Sequence, residues 1–259
     1  MTTAGLWLLG AGLLLSWANS ALHVLLSDRP FYLLSARLFD GRVRAARAAV
    51  LAVLSLGYGG LVVAFVRAGA SERLAVAILA CLVAIRQWEI AQWQGDLVVR
   101  LGKYVPTAAC LAGWLVAQPI LRASGVGEGE AWRLGWDAAC GVMAGVYVLA
   151  GIAKLRESGP EWAKARHQAL LVAERAYFGP RPLRALRLAV ARSRASSAVV
   201  GAVGLGLELG AVAFLVPSLR PGLAGAIVAM HLGFFVLLGY VELEWTVVLL
   251  AITLLAGAR

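Results

Sequence analysis

A succession of long apolar runs limits this chain more than any other feature. Eight can be read, at 4–26, 46–66, 74–92, 104–121, 134–154, 196–216, 221–238 and 240–257. Each is roughly 18–23 residues long, about what a helix needs to cross the hydrocarbon core of a bilayer. The runs are rich in Leu, Val and Ala and lack the two-residue alternation of a membrane barrel strand. The first has no basic segment before it and many runs follow, so it reads as a retained span and not a cleaved leader. The last two are short and nearly touch, so they count as one span or two. The expected fold is all-α: a polytopic transmembrane helix bundle of seven or eight spans. No shift in composition and no internal repeat divides it, so residues 1–259 read as a single domain.

Composition agrees. Hydrophobic residues make up 61% of the 259 and charged residues only 15%, and the mean hydropathy is +0.80. A soluble domain is nearer one quarter charged. Cys81, Cys110 and Cys140 each sit inside an apolar run, form no CxxC motif, and read as small buried hydrophobes. His23, His167 and His231 are far apart, so no metal motif is expected.

Charge gives the orientation. With the segment 27–45 placed inside, seventeen of the 24 Lys and Arg fall on the inner side or at its span ends, six fall outside, and Arg86 lies within a span. That bias places both termini outside the cytoplasm. The net charge of +10 then needs no nucleic acid to explain it, because anionic lipid headgroups are sufficient partners. The longest segment between spans is also basic. "EWAKARHQALLVAERAYF" (161–178) reads as one amphipathic helix, Gly179-Pro180 breaks it, and "LRALRLAVARSR" follows with Arg181, Arg184 and Arg187 at i, i+3 spacing. Such helices lie in the headgroup plane. They serve either as anchors or as a lid over the bundle.

Ionisable residues inside a span are costly and mark either paired interior sites or functional paths. Arg86 and Glu89 share a helical face and can pair, as a structural ion pair or as a polar wall with Trp88 and Trp93. Glu208 lies mid-span with no basic residue within a turn. His231 lies mid-span in the next run, at similar depth from the turn near 217–221, so a Glu208–His231 pair is expected. Lys154 closes the run "YVLAGIAKL". Tyr147, about two turns earlier, shares its face, and the small Ala150 and Gly151 allow a neighbouring helix to approach. Lys154 is either a snorkelling anchor or a desolvated amine able to act as a base.

These residues resemble a known pattern. "YVLAGIAKL…EW" resembles the AGxxKL…W signature of the vitamin K-dependent gamma-carboxylase family, whose membrane part is the horizontally transferred transmembrane domain. "QWQGDL", through Trp93 and Asp96, resembles that family's YWSxDxL segment. Glu208, Arg220 and His231 fill the places of its acidic residue, Arg and His. The match runs over about residues 75 to 255.

The resemblance implies a bacterial inner (plasma) membrane as the expected location, a quinone/hydroquinone cofactor of the vitamin K type, no metal, and O2 as co-reactant. Lys154 would be the catalytic base that deprotonates the hydroquinone, His231 a second catalytic residue, and Tyr147, Trp93 and Glu208 the cofactor-binding set. The family's His in the third segment is replaced here, where Ala91 and Gln92 stand, and no soluble domain is expected after the last span. The expectation is quinol-linked oxygen chemistry on a small-molecule or peptide substrate, and not full protein gamma-carboxylation. The alternative is a non-catalytic accessory, maturation or immunity protein of the same fold. A transporter is disfavoured, because paired broken helices and an inverted repeat are missing.

Overall fold

The structure is a computed structural model, and it describes residues 2–26, 41–92, 106–178, 181–239 and 243–257. Among these, ten α-helices follow one another: α1 Thr2–Leu26, α2 Gly41–Arg67, α3 Glu72–Gln92, α4 Pro106–Ala123, α5 Glu128–Ser158, α6 Ala165–Phe178, α7 Arg184–Arg192, α8 Arg194–Gly210, α9 Arg220–Leu238 and α10 Leu243–Ala256. Short 3-10 turns cover Gly159–Ala163, Arg181–Leu183 and Ala211–Leu215. No strand occurs among the described residues. Among the described residues, five helical stretches are long and apolar enough to cross a membrane: Thr3–Leu22, Ala45–Arg67, Glu128–Glu157, Arg194–Leu215 and Arg220–Leu238. The chain is thus an all-helical protein with the make-up of an integral membrane protein. α3, α4 and the 14-residue α10 occupy the other three apolar runs.

The chain gathers into two compact units, Met1–Ala139 with Leu254–Arg259, and Cys140–Thr253. Their border falls inside the continuous α5, which is why no composition shift announces it.

In the first unit α1 packs on α2, α3 and α4, and α3 packs on α2 and α4. Aromatic residues fix the pairs. Trp17 stacks on Tyr58 at 4.5 Å, the Tyr58 hydroxyl donates to the Leu13 carbonyl and Trp17 Nε1 donates to Ser55. Trp114 stacks on Trp136 at 5.0 Å, and Gln118 Nε2 donates to the Ala131 carbonyl. Arg86 and Glu89 form the expected ion pair, with Glu89 buried. Arg47 is buried and reaches the Val24 carbonyl near the C-terminal end of α1.

In the second unit α6 packs on α7, α8 and α9, and α8 packs on α7 and α9. Ser193 caps α8 by accepting from the Ser196 N–H. The expected helix at 161–178 starts later, at Ala165. Gly159 takes a left-handed backbone (φ 57°) and Pro160 follows, so α5 stops and a 3-10 turn intervenes. The break after Phe178 separates α6 from α7 as expected, although Gly179 and Pro180 themselves lie outside the described residues. α6 has 14 residues and is about 21 Å long, short of a bilayer core of roughly 30 Å.

Arg187 departs from the expected surface array. It is 1% exposed, and its Nε donates to the Val236 carbonyl while its NH1 donates to the Arg175 carbonyl. Both acceptors lie in the last turns of their helices, α9 and α6. Helix ends leave such carbonyls unpaired and carry partial negative charge, so one guanidinium closes two helices. Arg184 stays exposed, 5.2 Å from the Tyr177 ring.

Candidate functional site

The site lies within the second unit and is assembled on α5, α8, α9 and α10. Gly151 makes it possible. A Cβ at this position would stand 2.9 Å from Leu209 Cδ2 and 3.3 Å from the Glu208 Cβ, closer than side-chain carbons normally approach. The missing side chain lets α8 lie against α5 and brings Glu208 next to Lys154. Gly151→Val is expected to force the helices apart and cost about 1–3 kcal/mol. A drop in thermal midpoint of the purified protein would measure it, and an unchanged midpoint would show that the two helices are not held this closely.

Lys154 forms an ion pair with Glu208 Oε1. Its ammonium also lies 5.0 Å from the centre of the Trp162 ring, a cation–π distance. Trp162 is brought back over Lys154 by the turn that Gly159 and Pro160 start. It is held there by Gln168, whose Nε2 donates to the Trp162 carbonyl, and its other ring neighbour is His167 at 5.0 Å. Lys154 is therefore held against a carboxylate and an indole.

Tyr147 and His231 form the second half. The Tyr147 hydroxyl and His231 Nε2 are 2.7 Å apart, and the Trp245 ring meets Tyr147 edge-on at 5.1 Å and His231 at 6.4 Å. Lys154 lies within electrostatic range of His231.

The expected Glu208–His231 pair is not formed. Each residue points into the protein, with 5% and 8% exposure, but each has a different partner. The physical reason is competition. An ammonium is a stronger partner for a carboxylate than a neutral imidazole is, and Tyr147 already occupies His231 Nε2. The result leaves two buried atoms, Glu208 Oε2 and His231 Nδ1, with no hydrogen-bond partner among the described residues. Buried polar groups are nearly always satisfied, so these two mark a place where a further polar group belongs.

No family model, curated protein or solved structure matches this chain. The family resemblance therefore rests on the quoted residues themselves.

Of the expected site residues, Lys154, Glu208, Tyr147 and His231 come together in one unit. Trp93, with Asp96, lies outside the described residues. Arg220 is buried and donates to the Phe214 carbonyl across the turn between α8 and α9. Trp162 enters the expectation only as the closing residue of the quoted signature, and Gln168 does not enter it. The Gly159-Pro160 break was the available signal, because it turns the chain back toward the end of α5. No group of three or more potential metal ligands occurs among the described residues.

Proposed function

We propose that this chain is an integral membrane enzyme, related to the vitamin K-dependent carboxylases, that uses a quinol-type cofactor and O2 with Lys154 as general base. The observation that carries the reading is the pairing of Lys154 with Glu208 and Trp162, beside two buried polar atoms that lack partners. The residues fit a flat ring bearing polar groups. Trp162, Trp245 and Tyr147 offer aromatic surfaces, and Glu208 Oε2 and His231 Nδ1 offer hydrogen-bonding positions. A bound quinol supplies the electrons that reduce O2. Lys154 Nζ accepts a proton, Glu208 holds the lysine side chain in place, and the Tyr147–His231 pair fixes the imidazole with one nitrogen left open.

The rest of the reading follows the sequence. The protein has seven or eight spans in a bacterial inner membrane, with both termini outside the cytoplasm. α6 and α7 lie along anionic headgroups, and the substrate is a small molecule or peptide. A second reading, a non-catalytic accessory, maturation or immunity protein, draws on the ion pair itself: a lysine fully matched by a carboxylate also serves as a purely structural contact.

Purified protein separates the two. Lipid extraction with mass spectrometry is expected to find quinone bound to the protein, and adding reduced quinone is expected to start oxygen consumption. Protein free of quinone and inert toward every quinol offered would overturn the enzyme reading and leave the accessory one.

A further inference from the structure

We infer that Glu208 is the proton acceptor of Lys154, so that the two residues act as a base unit of zero net charge; this rests on the reading of Lys154 as a base. An ammonium has no lone pair and cannot take a proton from a weak acid. It must first release its own proton. Release to bulk water would leave Glu208 ionised beside a neutral amine. The ligand's ionisation would then put a second negative charge into a buried site, and buried charge without a partner is heavily disfavoured.

Transfer to Glu208 avoids this. One N–H bond of Lys154 breaks and one O–H bond forms on the carboxylate, so the charged pair becomes a neutral amine and a carboxylic acid, and both forms are populated in the site before any ligand binds. The amine lone pair then takes the proton of a ligand hydroxyl. The site now holds an ammonium, an oxyanion and a neutral acid, and its net charge is zero at every stage.

Glu208 has the geometry for this role. Oε1 meets Lys154, while Oε2 is buried and has no partner among the described residues. A proton carried on Oε2 leaves the Oε1 contact with Lys154 intact. It also converts an ionised oxygen without a donor, the least favourable atom in the site, into a hydroxyl that can donate to a ligand. The titratable groups on the elements around it include Lys154 and Tyr147 on α5, His167 on α6, His231 on α9 and Glu244 on α10. Among them, Lys154 forms the ion pair with Glu208. Glu161 and Lys164, in and just after the neighbouring 3-10 turn, pair with each other.

Infrared difference spectroscopy of the whole protein in lipid nanodiscs tests this without any ligand. Wild type minus Glu208→Gln at neutral pH is expected to contain the C=O stretch of a protonated carboxylic acid. Lys154→Arg is expected to lose that band, because arginine holds its proton. Absence of the band in wild type, or its persistence in Lys154→Arg at full strength, overturns the shared proton.

Turnover gives the second readout. Glu208→Gln is expected to lower the quinol-dependent rate by roughly 10²-fold or more, with the remaining rate climbing as pH rises, since the lysine must now lose its proton to water. A Glu208→Gln enzyme with wild-type rate and pH profile would remove Glu208 from the base while leaving Lys154 in place. Should the band behave as expected while no quinol supports turnover, the shared proton stands and the quinol reading fails.

Discussion

Lys154→Arg is expected to abolish quinol-dependent oxygen consumption while leaving the protein folded. Arginine keeps the positive charge, can pair with Glu208 and can lie over Trp162, so the contacts that hold α5 to α8 persist. What it cannot do is give up its proton near neutral pH. If the amine of Lys154 acts as a base, the loss should reach roughly 10²- to 10⁴-fold, the usual share of general base catalysis. If Lys154 is a structural contact, the substitution should be nearly silent, and wild-type oxygen consumption in this variant would end the proposal. Lys154→Ala is a harsher change. It strands the Glu208 carboxylate, 5% exposed, without its counter-charge, and stranding one partner of a buried pair typically costs about 3–5 kcal/mol. Its inactivity alone would not separate chemistry from misfolding. Partial recovery with small amines would.

The second large effect is expected at Arg187. Arg187→Ala removes two charged donors at once, those to the Val236 and Arg175 carbonyls, and leaves a cavity the size of the lost side chain. Hydrogen bonds from charged groups contribute about 1.5–3 kcal/mol each, so a destabilisation of about 3 kcal/mol or more is expected. Arg187→Lys should recover only part of it, because an ammonium lacks the planar fork that reaches two carbonyls in different directions. Thermal unfolding measures the size of the effect. Hydrogen exchange locates it, with faster exchange expected in the last turns of α6 and α9. A Lys variant as stable as wild type would show that charge, and not the fork, holds these helix ends.

The helical architecture was legible because apolar run length is a direct readout of the bilayer thickness a helix must match. The close approach of a neighbouring helix beside Lys154 was legible too, through Gly151, since a small residue one turn before a charge leaves room for one. The partners were not. Sequence spacing placed Glu208 and His231 at similar depth, but depth does not decide which face of a helix meets which neighbour. Lys154 and Tyr147, both on α5, took the two residues instead. Arg187 was misread for a related reason. An i, i+3 row of arginines looks like a headgroup-facing stripe, and only the third dimension shows that one of them is directed at the carbonyl ends of two other helices. The division into two units left no trace in composition, because it runs through the middle of a continuous helix. Trp93, the remaining expected site residue, falls outside the described residues.

The pairing of Lys154 with Glu208 also has an electrical consequence. A unit charge carried across the full membrane potential changes energy by about 2.3 kcal/mol per 100 mV, so a lone lysine that moved along the bilayer normal would respond to voltage. The pair contributes a small dipole in place of a free charge. A proton passing from Nζ to the carboxylate travels only the width of a hydrogen bond, and it samples little of the field. On the proposed reading such a site is insulated from the energised state of the membrane, and quinol-dependent turnover is expected to run at the same rate in a polarised vesicle as in a depolarised one.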